Sequence, residues 1–207
     1  MAPTLSLGTL FLAVQLADLL FWILALLGVE HLRIAPGATV VTPFDFYDYP
    51  ISHSLAGLAA WGLLLGGAYF VLWRNRVAAV IIVLGVLSHW ILDFLVHRPD
   101  MPVLPKGPNL GLSIWNSVPL TVLLEAVVYG FGIVVYLRTT SAVDRTGNWA
   151  LWGLLAFLAV TWVASVTGPV PPNERVVELS GLAMWLFVPW GYWIDRHRAI
   201  VGARMEA

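Results

Sequence analysis

Long uninterrupted apolar runs, set apart by short polar stretches, organise this chain. Six of the runs approach or exceed the roughly 20 residues needed to cross a hydrocarbon core. They predict helices near Thr4–Val29, Pro50–Trp73, Val77–His97, Ser117–Leu137, Trp149–Thr167 and Glu178–Ile194. Helices are expected because a helix satisfies its own backbone in lipid, and the runs lack the period-two alternation of barrel strands. The fold class is therefore all-α: a polytopic transmembrane helical bundle, one domain spanning residues 1–207.

Local signals sharpen several ends. Pro99 cannot continue a helix and pushes Arg98 toward extended geometry, so the third span should finish near His97. Ser117 before Val118-Pro119 reads as the start of the fourth, and Pro50 opens the second in the same way. Gly62 and Gly66 form a small-xxx-small step suited to close helix contact. The first apolar run lacks a basic leader and is too long for a signal-peptide core, so it reads as a retained span.

Orientation follows from Lys and Arg. With six spans, Arg74, Arg76, Arg138, Arg145, Arg196, Arg198 and Arg204 share one face, against Arg33, Arg98, Lys106 and Arg175 on the other. The first face should be cytoplasmic, with both termini there. Two segments on the opposite face are unlike linkers. One runs Pro43-Phe44-Asp45-Phe46-Tyr47-Asp48-Tyr49-Pro50, and the other carries Pro99, Pro102, Pro105 and Pro108, which predicts a stiff loop packed over helix ends.

Composition supports a membrane protein and removes whole classes of function. The chain is 59% hydrophobic and 11% charged, where soluble domains carry about 25% charged residues. Its 11 tryptophans suit membrane–water interfaces. Cysteine is absent, which excludes disulfides, thiolate catalysis and Cys-ligated metal sites. A net charge of −1 gives nucleic acid nothing to bind. The expected partner is the lipid bilayer, with other membrane subunits or a homo-oligomer left open.

Against that background, ionisable residues inside the spans are expensive, at about 2.5–3.5 kcal/mol each at a helix centre. These are Asp18, His89, Asp93 and Glu125, with His53, Asp45, Asp48, His97 and Asp100 at or beyond helix ends. His89, Asp93 and His97 follow an i, i+4, i+8 pattern that puts them on one helix stripe. Counted from the outer ends, His89 and Glu125 both lie about 12 Å deep, Asp93 about 6 Å and Asp18 about 16 Å. Several spans should thus bring acids and imidazoles into one pocket toward the outer face. Imidazoles and carboxylates without Cys suit Zn²⁺, Mn²⁺ or Fe²⁺. A metal-free polar network and an ion or proton path stay open beside the metal. His53 could equally cap its helix, Asp45 and Asp48 could be solvated loop acids, and Asp100 could cap a turn.

The elements Tyr49-Pro50-Ile51-Ser52-His53-Ser54, Ser88-His89-Trp90-Ile91-Leu92-Asp93 and His97-Arg98-Pro99-Asp100 resemble the YdjM-like group of bacterial inner-membrane proteins, described as membrane-bound metal-dependent hydrolases. The resemblance covers roughly residues 10–105. The group's Thr-His-Ser stands here as Ser-His-Ser, and its further upstream histidine has no assigned counterpart. What the resemblance implies is a ligand set of His53, His89 and Asp93, extended by His97 and Asp100.

The functional expectation is a metal-dependent hydrolase acting on an ester or phosphoester near the outer leaflet of the inner membrane. Glu125 or Asp93 would serve as base for an activated water, and Arg98 or Arg33 would hold an anionic head group. Two other classes remain: a non-catalytic subunit of a larger membrane complex, and a small transporter or proton relay through Asp18, Glu125 and His89.

Overall fold

The computed structural model describes residues 5–201. Thr4, the predicted start of the first span, and Arg204, one of the orienting charges, lie outside the described residues. In chain order the elements are α1 (Leu7–Val14), α2 (Leu16–Leu26), β1 (His31–Ile34), β2 (Phe44–Asp48), α3 (Pro50–His53), α4 (Leu55–Trp73) and α5 (Arg76–Val96). Then follow β3 (Met101–Pro102), β4 (Asn109–Leu110), α6 (Val118–Thr139), β5 (Thr140–Ala142), α7 (Arg145–Thr167), α8 (Glu174–Gly181), α9 (Phe187–Arg196) and β6 (Arg198–Ile200). Short 3₁₀ turns at Ile114–Asn116 and Leu182–Leu186 precede α6 and α9.

Among the described residues, α4, α5, α6 and α7 are long and apolar enough to cross a membrane. The first predicted span is broken: α1 and α2 qualify only as a pair, bent by 56° at Gln15. The second predicted span is split as well. Ser54 adopts extended geometry and accepts from the Gly57 amide at 2.9 Å, so it starts α4 afresh and leaves α3 as a separate turn. The stretch predicted as a sixth span is two helices, α8 and α9, separated by the turn at Leu182–Leu186. Pro189 explains the interruption. It lies in the first turn of α9, where its missing N–H costs nothing, but an α-helix arriving from upstream would clash with its ring.

The helix pair α4–α5 forms the densest part of the bundle. Arg74 turns the chain with a left-handed backbone, and Asn75 Oδ1 then caps α5 by accepting from Ala78 N at 3.2 Å. The predicted glycine step lies at their crossing. A Cβ on Gly66 would stand 2.8 Å from the Ala79 carbonyl oxygen, and one on Gly62 would meet Val86 Cβ at 3.3 Å. Ala13, Ala17 and Phe21 from α1–α2 complete the core with Leu58, Ile82, Val86, Trp90 and Met101.

Helix α9 packs against α1. A Cβ on Gly8 would meet the Tyr192 ring at 2.5 Å, and Asp195 Oδ2 accepts from the Leu7 amide at 2.5 Å. A carboxylate at a helix N-terminus suits both the free amides and the dipole there.

The predicted aromatic–acidic loop is a β-hairpin. Strands β1 and β2 pair antiparallel, with Arg33 opposite Asp45 and Ile34 opposite Phe44. The proline-rich loop packs over the helix ends as expected: Ala56 N donates to the Val103 carbonyl at 3.1 Å, and Ser113 N to the His97 carbonyl at 2.7 Å. Strands β5 and β6 pair at the other end of the chain, with Thr140 opposite Ile200.

Candidate metal centre

Two local breaks in helix regularity and one stripe of an unbroken helix create the site. The bend at Gln15 puts Asp18 in the first turn of α2. It also leaves the Val14 carbonyl at the end of α1, outside the ladder of α2, where helix-end carbonyls need other partners. The break at Ser54 makes His53 the last residue of α3. On α5, His89 and Asp93 stand one turn apart on the same stripe.

These side chains meet. His53 Nε2 lies 3.4 Å from Asp18 Oδ1 and 3.7 Å from Asp93 Oδ2. His89 Nε2 lies 3.1 Å from Asp93 Oδ2 and 3.8 Å from Asp18 Oδ1. The two imidazole rings contact edge to face at 5.3 Å. Asp18, His53 and His89 each offer a ligand atom, and these atoms fall within 4.8 Å of one another.

The positions of the ring protons decide what this arrangement can hold. A carbonyl can only accept, so the 2.8 Å contact between His89 Nδ1 and the Val14 oxygen makes Nδ1 the donor. In the neutral ring Nε2 then carries a lone pair. That atom is buried and makes no hydrogen bond, although Asp93 Oδ2 stands 3.1 Å away. On the other side, Ser52 Oγ contacts Glu30 Oε2 at 2.5 Å and His53 Nδ1 at 2.7 Å. The space between the rings is thus lined by lone pairs and carboxylates, and burying such acceptors together requires a cation or shared protons. The dimensions suit a small metal ion. Tetrahedral ligands at about 2.0–2.1 Å stand about 3.4 Å apart, close to the observed nitrogen–oxygen separations.

Several predicted residues fall in a second layer, one turn further along. His97 Nδ1 contacts Asp100 Oδ1 at 3.1 Å, and its ring lies 4.5 Å from that of Trp115. Arg98 Nε donates to Asp100 Oδ2 at 2.9 Å, and its Nη2 donates to Asp45. Arg33 Nε donates to Asp45 Oδ2 at 2.6 Å. His97 and Asp100 are therefore not brought into the ligand group, because the helix ends at Val96 and the extended geometry of His97 turns it toward the loop. Both arginines predicted to hold substrate already have carboxylate partners. Asp48 pairs with His31 at 3.3 Å on the exposed hairpin. Tyr49 joins the layers: its ring lies 5.1 Å from that of His53, and its hydroxyl donates to Asp100 at 3.3 Å. Burial, reinforced by Asp100, pushes the Tyr49 phenol far above its ordinary pKa, so it remains a donor.

Glu125 stands elsewhere. It accepts from Trp162 Nε1 on α7 and makes no hydrogen bond or ion pair with Asp18, His53, His89 or Asp93. The cause is the position of α6, which packs mainly against the 3₁₀ turn before it and against β5.

Glu30 was missed by the sequence reading and is 1% exposed. It accepts from the Ile51 amide at 2.6 Å and the Ser52 amide at 2.9 Å. A signal for it existed: Pro50 opens α3 after Tyr49, whose side chain makes no capping bond, so the following amides need an acceptor from elsewhere.

No curated protein and no solved structure matches the chain. A family model described as YdjM inner membrane protein matches residues 49–169, starting just after the first hairpin. The matched region holds His53, His89 and Asp93, while Asp18 and Glu30 come from the segment before it. Because the match spans more than half of the 207 residues, this chain belongs to the YdjM inner membrane protein family.

Proposed function

We infer that this protein is a metal-dependent hydrolase of the inner membrane, acting on an ester or phosphoester near the outer leaflet. In this reading the chain crosses six times with both termini in the cytoplasm. The first crossing is the bent pair α1–α2, and the last is the stretch from α8 to α9. The site then lies toward the periplasmic face. One observation carries the reading: ligand atoms from α2, α3 and α5 converge within 4.8 Å of one another, and the buried His89 Nε2 is left without a hydrogen bond.

Asp18, His53 and His89 would hold the ion, with Asp93 completing the set or standing beside it. Zinc is the first expectation for such a nitrogen and oxygen donor set, with manganese or iron as alternatives. Bound there, it would polarise the scissile ester and lower the pKa of a water toward 7. Asp93 is the better placed of the two predicted bases, because it reaches both imidazoles while Glu125 is engaged by Trp162. Arg33 remains the stronger candidate for an anionic head group, since its side chain is 64% exposed beyond its contact with Asp45. A proton relay through Asp18, Glu125 and His89 has less support, because Glu125 does not join the other two.

The test is metal analysis of the purified protein, followed by hydrolysis assays on model phosphoesters and esters in detergent. Stoichiometric zinc, with hydrolysis lost in His89→Ala while the fold is retained, is the expected result. A protein that takes up no divalent metal at micromolar concentration, or hydrolyses equally well with His89→Ala, overturns the reading.

A further inference from the structure

We propose that Glu30, acting through the Ser52 hydroxyl, is a positioning residue that fixes the proton of His53 on Nδ1 and so keeps Nε2 open as a metal ligand. The proposal rests on the metal reading of the site, and it concerns residues that make no contact with the ion.

The chain of bonds has one consistent direction. Glu30 already accepts two main-chain amides through Oε1, which marks it as an acceptor. Its other oxygen, Oε2, therefore accepts the hydroxyl proton of Ser52 at 2.5 Å. With its proton committed, Ser52 Oγ can only accept in its 2.7 Å contact with His53, so the imidazole N–H must be on Nδ1. Glu30, Ser52 and His53 are all buried, so water has little access to compete for these bonds. A carboxylate behind a ligating imidazole also raises its basicity and holds the ring in orientation.

The opposite tautomer has partners of its own, which is why the relay matters. A proton on Nε2 would face Asp18 Oδ1 at 3.4 Å and Asp93 Oδ2 at 3.7 Å. Such a ring would neutralise the acceptor pocket from within and close the ligand position. His89 avoids this by donating to a backbone carbonyl. His53 has only a side-chain acceptor at Nδ1, and that acceptor depends on Glu30.

Two measurements test the assignment. The ring nitrogen shifts of His53 in ¹⁵N-labelled, metal-free wild-type protein should report protonated Nδ1 and bare Nε2, and the reverse pattern overturns the proposal without any variant. Zinc affinity, measured by competition with a chromophoric chelator, should weaken by about 10–100-fold in Ser52→Ala. That variant keeps both main-chain bonds to Glu30 but leaves two buried partners of the hydroxyl unpaired, so its melting temperature without metal should fall modestly while the fold is retained. Ser52→Thr, which restores the hydroxyl, should recover the affinity. Wild-type zinc affinity in folded Ser52→Ala overturns the role given to Glu30 and leaves the metal site intact. A wild-type protein that takes up no zinc overturns the metal reading, while the tautomer measurement still decides how Glu30 acts on His53.

Discussion

Two polar layers lie at one end of the bundle, both centred on a pair of aspartates and balanced in opposite ways. In the outer layer, Asp45 and Asp100 face Arg33, Arg98, His97 and the Tyr49 hydroxyl, so each carboxylate has donors. In the inner layer, Asp18 and Asp93 face two imidazole nitrogens whose protons are committed on the far side of each ring. Both layers hold carboxylates and imidazoles, but the arginines and the Tyr49 hydroxyl belong only to the outer one. The difference is where the donors are. A layer that closes its own hydrogen bonds holds the hairpin and loop to the helix ends, while one that leaves acceptors facing one another is prepared for a cation.

Substitutions can break this contrast. The largest effect on stability is expected from Asp45→Ala, which takes from Arg98 one of its two carboxylates and from Arg33 its carboxylate partner. It should cost about 3 kcal/mol, at the low end for buried pairs because Arg98 keeps Asp100 and Arg33 is open to solvent. Denaturant or thermal unfolding in detergent would measure it. Zinc bound per folded molecule should not change, and a parallel loss of zinc would merge the two layers. Next comes His89→Ala, which should abolish the stabilisation that zinc confers on the wild type, about 2.7 kcal/mol when zinc is at 100 times its Kd. A melting temperature that still rises with zinc in this variant would move the ion elsewhere. Gly66→Val tests the scaffold beneath both layers. The added atoms would meet the α5 backbone at Ala79, and a loss of about 1–3 kcal/mol is expected without altered ligand preference.

The smallest effect lies at the far end of the molecule. Asp144 caps α7 through Gly147 N and pairs with His197, and these contacts hold its carboxyl below the usual Asp range. A depressed pKa stabilises the fold above the ordinary Asp value of about 3.9 and loses that contribution as acidification protonates the held carboxylate. The melting-temperature gap between wild type and Asp144→Asn should therefore be constant near neutrality and close below about pH 4. A gap that widens on acidification would contradict this sign.

Much of the scaffold was legible in the residues. The α5 stop before Pro99, the α6 start at Ser117 and the glycine contact of α4 all follow from local chemistry, and the structure places them within a residue or two. The pairing of His89 with Asp93 follows from helical spacing. Other features depend on tertiary packing. No proline or glycine stands at the bend at Gln15, and the break at Ser54 is marked only by Gly57, where a Cβ would meet the Ile51 carbonyl oxygen at 2.6 Å, yet those two positions deliver Asp18 and His53. The rotation of α6, which turns Glu125 toward Trp162, is set by its neighbours rather than by its own sequence. The arginine partners of Asp45 come from a strand register and a loop that periodicity does not reveal.

The bend at Gln15 has one more consequence, for anyone who maps this protein by substitution. The atom that orients His89 is a main-chain oxygen of Val14, which every residue type supplies equally. A side-chain scan would pass over position 14 in silence, although the ring one helix away leans on it. Residues that extend α1 smoothly into α2 would withdraw that oxygen into the helix, so the imprint of this anchor should appear at Gln15, in a residue whose own side-chain oxygen makes no hydrogen bond to the pocket.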